Sequence, residues 1–393
     1  MENYKFANRI TGVSPSATLE MGRKAKELAN QGVEVINLSL GEPDFVTPKF
    51  IDEAAKKAID SGLASFYTAT LGINELRMAL ANYYDSIAPL DFKNFGVTAS
   101  TKLALYALLQ ILISDGEKVV VAAPYWVSYE QQVKLAMGDL YAVFPDNPEM
   151  KLTTKELDEL DFIPKAIILN NPTNPTGAVY SKEELLDIIN WAEVNQVYLI
   201  VDEIYGKLVY NGTKFTSVLE LKEINNSKLI VVDGVSKSYS MTGWRLGWVI
   251  ADPKIISKLG EVLDHVTSNP AAVSQYAALA AITSDGSSVE EMRCAFEERL
   301  NTTYDKLQEV NGLTIVDKPQ GAFYLFLKVD PALLKRKGLK DTKDLAMEIL
   351  NQAHVALAAG EGFGTPGYLR MSYAKSQTEL DEAIKRIKGF LNE

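Results

Sequence analysis

Residues 165–202 read KAIILNNPTNPTGAVYSKEELLDIINWAEVNQVYLIVD, and the order of patterns in this stretch decides the fold. Lys165–Leu169 is a short apolar run of the kind buried on both faces of a sheet. The loop Asn170-Asn171-Pro172-Thr173-Asn174-Pro175-Thr176-Gly177 follows. A residue before proline is pushed out of the helical region, and here that happens twice, so the loop is non-helical and fixed. One such dipeptide serves a turn; two at this spacing hold an amide in place. Ser181 with Glu184 forms a capping-box start. Leu185, Leu186, Ile189 and Ala192 then lay one apolar stripe along Ser181–Asn195. Tyr198–Val201 is a second buried run, closed by Asp202. Strand, loop, helix and strand in this order form the unit of a mostly parallel sheet covered on both faces.

The same alternation extends outward. Further expected strands are Val33–Leu40, Gly96–Thr98, Lys118–Ala122, Lys228–Val232 and Trp244–Ile250, separated by helical patterns. After about residue 285 the style changes. A long helix, Ser288–Val310, leads to Leu313–Val316, Ala322–Val329, a helix over Thr342–Ala353 and a strand at Tyr368–Tyr373. This is the pattern of a smaller α+β domain with antiparallel pairing. The expected division is 47–285 for a large domain, with 1–46 and 286–393 forming the small one. No repeat, low-complexity tract or flexible linker separates them.

The chain has 393 residues, long enough for a large core and for two or three domains. Apolar residues make up 47% and charged residues 23%, as in ordinary globular proteins. Lys plus Arg is 40 against 51 Asp plus Glu, a net charge of −11, which argues against nucleic acid and anionic membranes as partners. The one cysteine, Cys294, has no internal disulfide partner, so a reducing compartment is expected. The start of the chain carries no apolar segment of a secretory signal, and the longest apolar run, Leu103–Ile113, is too short to span a bilayer. A cytoplasmic protein is the expectation. With two histidines and one cysteine, no metal site of the usual zinc type is expected, and no Gly-x-Ser-x-Gly elbow is present.

Several features at strand ends or helix starts carry chemistry, where open α/β sheets bind ligands. In Val235-Ser236-Lys237-Ser238-Tyr239-Ser240-Met241-Thr242-Gly243-Trp244-Arg245, a lysine precedes an arginine by eight residues. A lysine with a lowered pKa captures an aldehyde, and the planar arginine fork grips a phosphate. Those are the two handles of pyridoxal phosphate, although the spacing alone is common. Val97-Thr98-Ala99-Ser100-Thr101-Lys102 ends a strand and opens an apolar helix. Its free N–H groups, hydroxyls and dipole suit a phosphate, and an ordinary N-cap has the same pattern. Trp126, in Pro124-Tyr125-Trp126, is placed either to stack on a flat ring or to fill a core. Asp202 is a carboxylate at the end of a buried strand, and such a group needs a partner. A protonated pyridine nitrogen at about 4 Å would attract it by about 4 kcal/mol at an effective dielectric near 20; a structural ion pair is the competing account.

Together these motifs resemble the fold-type I pyridoxal-phosphate enzymes, specifically the class I and II aminotransferases. The resemblance runs from Ser39-Leu40-Gly41-Glu42-Pro43-Asp44-Phe45 through Asn174-Pro175-Thr176-Gly177 and Ser236-Lys237 to Tyr368-Leu369-Arg370-Met371-Ser372-Tyr373. Glu-Pro-Asp-Phe and Pro-Tyr-Trp-Val-Ser-Tyr are most similar to the bacterial aspartate aminotransferase branch. The resemblance implies an α/β fold, with a mostly parallel seven-stranded sheet between helices and a smaller α+β domain. It implies that Lys237 forms the Schiff base with pyridoxal 5′-phosphate and then moves a proton at the substrate's α-carbon. By the same resemblance Asp202 pairs with the ring nitrogen, Asn174 and Tyr205 bond the ring oxygen, and Trp126 stacks on the ring. Ser100, Thr101, Lys102, Ser236 and Arg245 surround the phosphate. Arg370 grips the substrate α-carboxylate, and Gly41 allows close approach to it, with Trp126 and Asn174 also facing the substrate. Tyr67 matches a tyrosine that reaches the neighbouring subunit's phosphate, which implies a homodimer with shared sites acting on amino acids and 2-oxo acids.

Three positions depart from the family pattern. Gly234 stands where many members carry a serine. Asp264 occupies the place, four residues before Ser268-Asn269-Pro270, where animal-type aspartate enzymes carry an arginine for the distal carboxylate. Gln110 stands where the bacterial branch is expected to use a lysine. Aspartate is therefore the first expectation for the donor, with an aromatic or other neutral amino acid, or a β-lyase reaction on the same fold, as the alternatives. Lys102 and Arg23 are the remaining candidates for a distal cation. A cofactor-binding sensor module is a further class, but no helix-turn-helix or basic segment accompanies the chain.

Overall fold

The computed structural model describes residues 4–392; Met1–Asn3 and Glu393, at the extremes of the expected small domain, fall outside that range. In chain order the first eight strands are β1 (Ile36–Asn37), β2 (Phe95–Thr98), β3 (Lys118–Ala122), β4 (Asp139–Val143), β5 (Ala166–Asn170), β6 (Tyr198–Asp202), β7 (Leu229–Gly234) and β8 (Gly247–Ile250). Seven of them form one sheet in the order β2-β8-β7-β6-β5-β3-β4. β3 to β7 run parallel, and β8 is antiparallel to both β7 and β2.

The apolar runs follow from burial on both faces. Val120, Ile167, Leu169, Val201 and Val231 pack into one layer, while Val119, Val121, Ile168, Ile200 and Val232 pack into the other. The helix after β5 spans Lys182–Val194 and begins with the capping box read from the sequence. Ser181 Oγ accepts from Glu184 N at 3.2 Å, and a Glu184 carboxylate oxygen accepts from Ser181 N at 2.7 Å.

A second, antiparallel sheet is built from β9 (Leu313–Ile315), β10 (Tyr324–Val329), β12 (Ala358–Ala359) and β13 (Tyr368–Ser372), in the order β12-β13-β10-β9. Between them β11 (Val355–Ala356) pairs in parallel with β1. Leu38 lies in one cluster with Leu325, Leu369, Phe296 and Ile387, so the N-terminal segment and the helices Ser287–Leu307 and Gln377–Asn392 share one core.

Several boundaries differ from the sequence reading. The expected strand Val33–Leu40 shortens to Ile36–Asn37, which pairs outside the large sheet. β4 had no expected counterpart, although Leu140-Tyr141-Ala142-Val143-Phe144 is an apolar run; it lies at the sheet edge, with Asp139 and Tyr141 exposed and only Val143 of the strand buried. The expected strand Trp244–Ile250 begins only at Gly247, because Thr242–Trp244 is a 3₁₀ turn and Arg245 adopts φ 56°. The helix from Thr342 is α-helical to Glu348 and continues as one π turn over Ile349–Ala353.

Candidate active site

In the strand order of the large sheet, β3 lies between β4 and β5, so the chain turns from one side to the other at the carboxyl ends of β3 and β5. Crevices at such reversals are where open α/β sheets hold ligands. The loops leaving β3, β5, β6 and β7 carry Trp126, Asn174, Asp202 and Lys237 to that end. All four line one cleft of about 380 Å³, together with Gly41, Thr101, Lys102, Tyr205, Ser236, Arg245 and Arg370.

Lys237 sits in the short helix Val235–Ser238 directly after β7, and its Nζ donates to the Gly41 carbonyl at 2.5 Å. Burial pulls its pKa down to about 8; Arg370 and Arg245 push the same way, against Glu42 and Asp202. About a tenth is therefore free amine at pH 7, far more than for an ordinary lysine, and the free amine is the form that Schiff-base chemistry requires. Asp202 is 4% exposed. Its carboxylate accepts from the Tyr129 hydroxyl at 2.9 Å and from Ile204 N at 3.2 Å. Burial raises its pKa to about 6, moderated by those two donors and by Lys237. It makes no ion pair among the described residues, so the structural ion pair considered from the sequence is absent there.

Asn170 organises the double Asn-Pro loop. Its amide donates to the Asp202 carbonyl at 2.8 Å, and its side-chain oxygen accepts from Asn174 N at 2.7 Å. Asn174 Oδ1 in turn accepts from Arg370 at 3.1 Å. Arg370 lies on β13 and its other terminal nitrogen donates to the Ser39 carbonyl at 2.6 Å. The guanidinium is 2% exposed, and its Nε has no hydrogen-bond partner among the described residues. Tyr205 shares a hydrogen bond with Tyr324 at 2.8 Å. At Gly41 the backbone lies close to Tyr324: a Cβ there would overlap the Tyr324 hydroxyl.

The helix Thr101–Leu112 points its first turn at the cleft. Thr101 and Lys102 line the cleft, and their N–H groups make no hydrogen bond among the described residues. Space in front of them depends on glycine: a Cβ on Gly247 would fall 2.6 Å from Thr101 N. Ser100 is buried instead; its hydroxyl caps Leu103 N at 3.4 Å, from a φ of 103° that an ordinary N-cap does not adopt. Arg245 reaches the cleft from its left-handed conformation and donates to the Thr242 carbonyl at 2.7 Å. Lys102 Nζ stands 5.0 Å from the Trp126 ring centre. Its pKa is lowered by burial and then by Arg245.

Tyr67 is 90% exposed and does not line this chain's cleft. Gln110 and Asp264 are exposed and also outside it; Asp264 accepts from the Thr70 hydroxyl at 2.5 Å. Of the two remaining cation candidates, Arg23 pairs with Glu27 on an exposed helix face, and only Lys102 lines the cleft. The sequence reading missed Tyr129, Tyr324, Ser16 and Thr18. Tyr129 lies in the Pro-Tyr-Trp-Val-Ser-Tyr motif and could have been weighed there. The others reach the cleft through tertiary contacts that no local pattern announces.

The arrangement combines an amine with its pKa lowered to about 8, a buried carboxylate and a buried guanidinium that make no ion pair among the described residues, and a helix start whose first N–H groups make no hydrogen bond among them. These groups fit pyridoxal phosphate together with an amino-acid carboxylate. Comparison with known proteins points the same way. The family described as aminotransferase class I and II matches residues 33–387. An asparagine–oxo-acid transaminase of Streptococcus mutans is 42% identical, over 98% of this chain and 99% of its own. An aspartate aminotransferase of Bacillus sp. YM-2 is also 42% identical, with 98% and 99% covered. The crystal structure of an aspartate aminotransferase from Thermotoga maritima superimposes with a TM-score of 0.90 at 36% identity, covering 99% of this chain and 100% of that one.

Proposed function

The chain belongs to the class I and II aminotransferases, and from that premise we propose that it transfers the amino group of L-aspartate to a 2-oxo acid such as 2-oxoglutarate, using pyridoxal phosphate. The observation that carries this reading is Arg370, buried and without an acidic partner among the described residues, in the same cleft as the Lys237 amine. An unpaired buried cation is costly unless a ligand supplies the anion, and an α-carboxylate matches the guanidinium fork.

When bound, the cofactor supplies an aldehyde for amino groups and a protonated ring that draws electrons from the α-carbon. Asp202 would keep the ring nitrogen protonated, Trp126 would cover a ring face, and Asn174 and Tyr205 would bond the ring oxygen. Thr101, Lys102, Ser236 and Arg245 would surround the phosphate, with Ser100 holding the helix start. The Lys237 amine would take the proton from the substrate α-carbon and deliver it to the cofactor carbon C4′, on the other side of the amino nitrogen. Two half-reactions through one cleft give ping-pong kinetics. Lys102 is the cation best placed for a distal carboxylate, and the same position would also accept the amide of asparagine.

A homodimer is part of this proposal, with the partner subunit's Tyr67 reaching the phosphate. So are the division into 47–285 and 1–46 with 286–393, supported by the seven-stranded sheet lying in the first part and the four-stranded sheet and the β1-β11 pair in the second, and a cytoplasmic location, supported by the free, exposed Cys294. Among the described residues no helix is long and apolar enough to cross a membrane.

The test is a panel of amino donors with 2-oxoglutarate, run on wild type, Lys237→Ala and Lys102→Ala. Aspartate should give the highest kcat/KM, Lys237→Ala should abolish turnover, and Lys102→Ala should hurt aspartate more than alanine. Preference for aromatic donors, or ammonia release without an acceptor, would instead favour the neutral-donor or β-lyase alternatives.

A further inference from the structure

We infer that Phe363 and Tyr324 are positioning residues that hold the Arg370 guanidinium ready for a carboxylate, and the inference rests on the aminotransferase reading of the cleft. Arg370 has its carbon 4.3 Å from the Tyr324 ring centre and 4.8 Å from that of Phe363. Burial depresses its pKa, and the only hydrogen-bond acceptors it reaches among the described residues are the Ser39 carbonyl and Asn174 Oδ1. Two neutral oxygens fix its plane without cancelling its charge.

The aromatic faces account for what an acid would otherwise do. A ring quadrupole attracts a cation most strongly where water is excluded, so two rings compensate the burial of the guanidinium. A carboxylate partner would do the same, but it would also occupy the N–H fork and compete with the substrate. Rings stabilise the charge and leave donors free, and the Nε–H is one of them. Electrostatic groups fixed before the ligand arrives need no reorganisation when it binds.

Both rings are themselves held. The Tyr324 hydroxyl is bonded to Tyr205 and packed against the Gly41 backbone. Phe363 is fully buried with Val127, Phe326 and Ala358. Its carbonyl accepts from Tyr125 N at 3.0 Å, next to Trp126. Phe363 thus ties the element carrying the carboxylate grip to the loop that carries the ring-facing tryptophan. It does not line the cleft, so it acts on substrate only through Arg370 and makes the cleaner test.

The experiment uses the holoenzyme of wild type, Phe363→Leu, Phe363→Met and Phe363→Tyr. Maleate, a dicarboxylate, is titrated against the absorbance of the bound cofactor, and KM and kcat are measured for the amino donor. Phe363→Leu and Phe363→Met should weaken maleate and raise KM by about tenfold, with kcat changed by about twofold at most and cofactor affinity intact. Phe363→Tyr should restore maleate affinity, since it keeps the aromatic face. Unchanged maleate affinity in both aliphatic variants would overturn the inference. So would an equal loss of cofactor affinity, the signature of a cleft that has only loosened. A wild type that neither binds the cofactor nor transaminates would sink the underlying aminotransferase reading, a distinct result.

Discussion

Burial is the largest reason that the Lys237 amine ionises near 8, and the two arginines lining the same cleft add to it. The reactive form is the free amine, so its fraction rises as pH climbs through that value and saturates above it. The cofactor-free protein should therefore capture pyridoxal phosphate faster with rising pH, levelling above about 8. Stopped-flow absorbance from pH 6 to 9.5 would read this, and a flat profile would contradict the assigned amine. At this scale much was legible in the sequence. Lys237, Asp202, Asn174, Trp126 and Arg370 sit in motifs whose local chemistry is distinctive, and all line one cleft. Ser100 shows the limit, because an N-cap and a phosphate cradle share one pattern and only coordinates separate the hydroxyl's use.

The carboxyl end of β6 carries two acids on opposite sides of the sheet. Asp202 faces the cleft, whereas Glu203 is buried beneath it, accepting from the Ser217 hydroxyl at 2.7 Å and Val218 N at 2.9 Å. Burial raises the Glu203 pKa to about 8, against the lowering by those donors. A folded-state value above the unfolded one means that the favourable contribution is complete below the unfolded value and is lost as pH rises through about 8. Glu203→Gln should thus raise the melting temperature more at pH 9 than at pH 5. Equal effects at both pH values would refute this. Elements with strong periodicity, such as the capped helix Lys182–Val194, were read closely from sequence. β4 was not, although Leu140–Phe144 is an apolar run: that this run pairs at the sheet edge, with Tyr141 left exposed, is decided by the sheet and not by local pattern.

For the whole molecule, the relevant observation is large apolar side chains left in water. Val46 is 88% exposed, Phe66 77% and Tyr67 90%, with Leu63 close by in sequence at 50%. The proposed homodimer would cover these side chains, which include the tyrosine proposed to reach a second copy's phosphate. Sedimentation equilibrium should give twice the mass of one chain, and Tyr67→Phe should weaken cofactor affinity about tenfold without dissociating the dimer. A fully active monomer would remove the shared-site proposal.

The sequence by itself determined the layered α/β fold and most of its elements in order, β4 excepted, and it marked the strand ends where chemistry is expected. Those depend on local periodicity, capping and proline geometry, which neighbouring residues specify. Only the tertiary structure decided that Arg370, 133 residues beyond Lys237, lies buried against two aromatic rings with no acidic partner among the described residues. It also decided that Lys102 rather than Arg23 or Gln110 lines the cleft. Burial, charge pairing and pKa are sums over groups brought together from distant parts of the chain, so they exist only once the chain has folded.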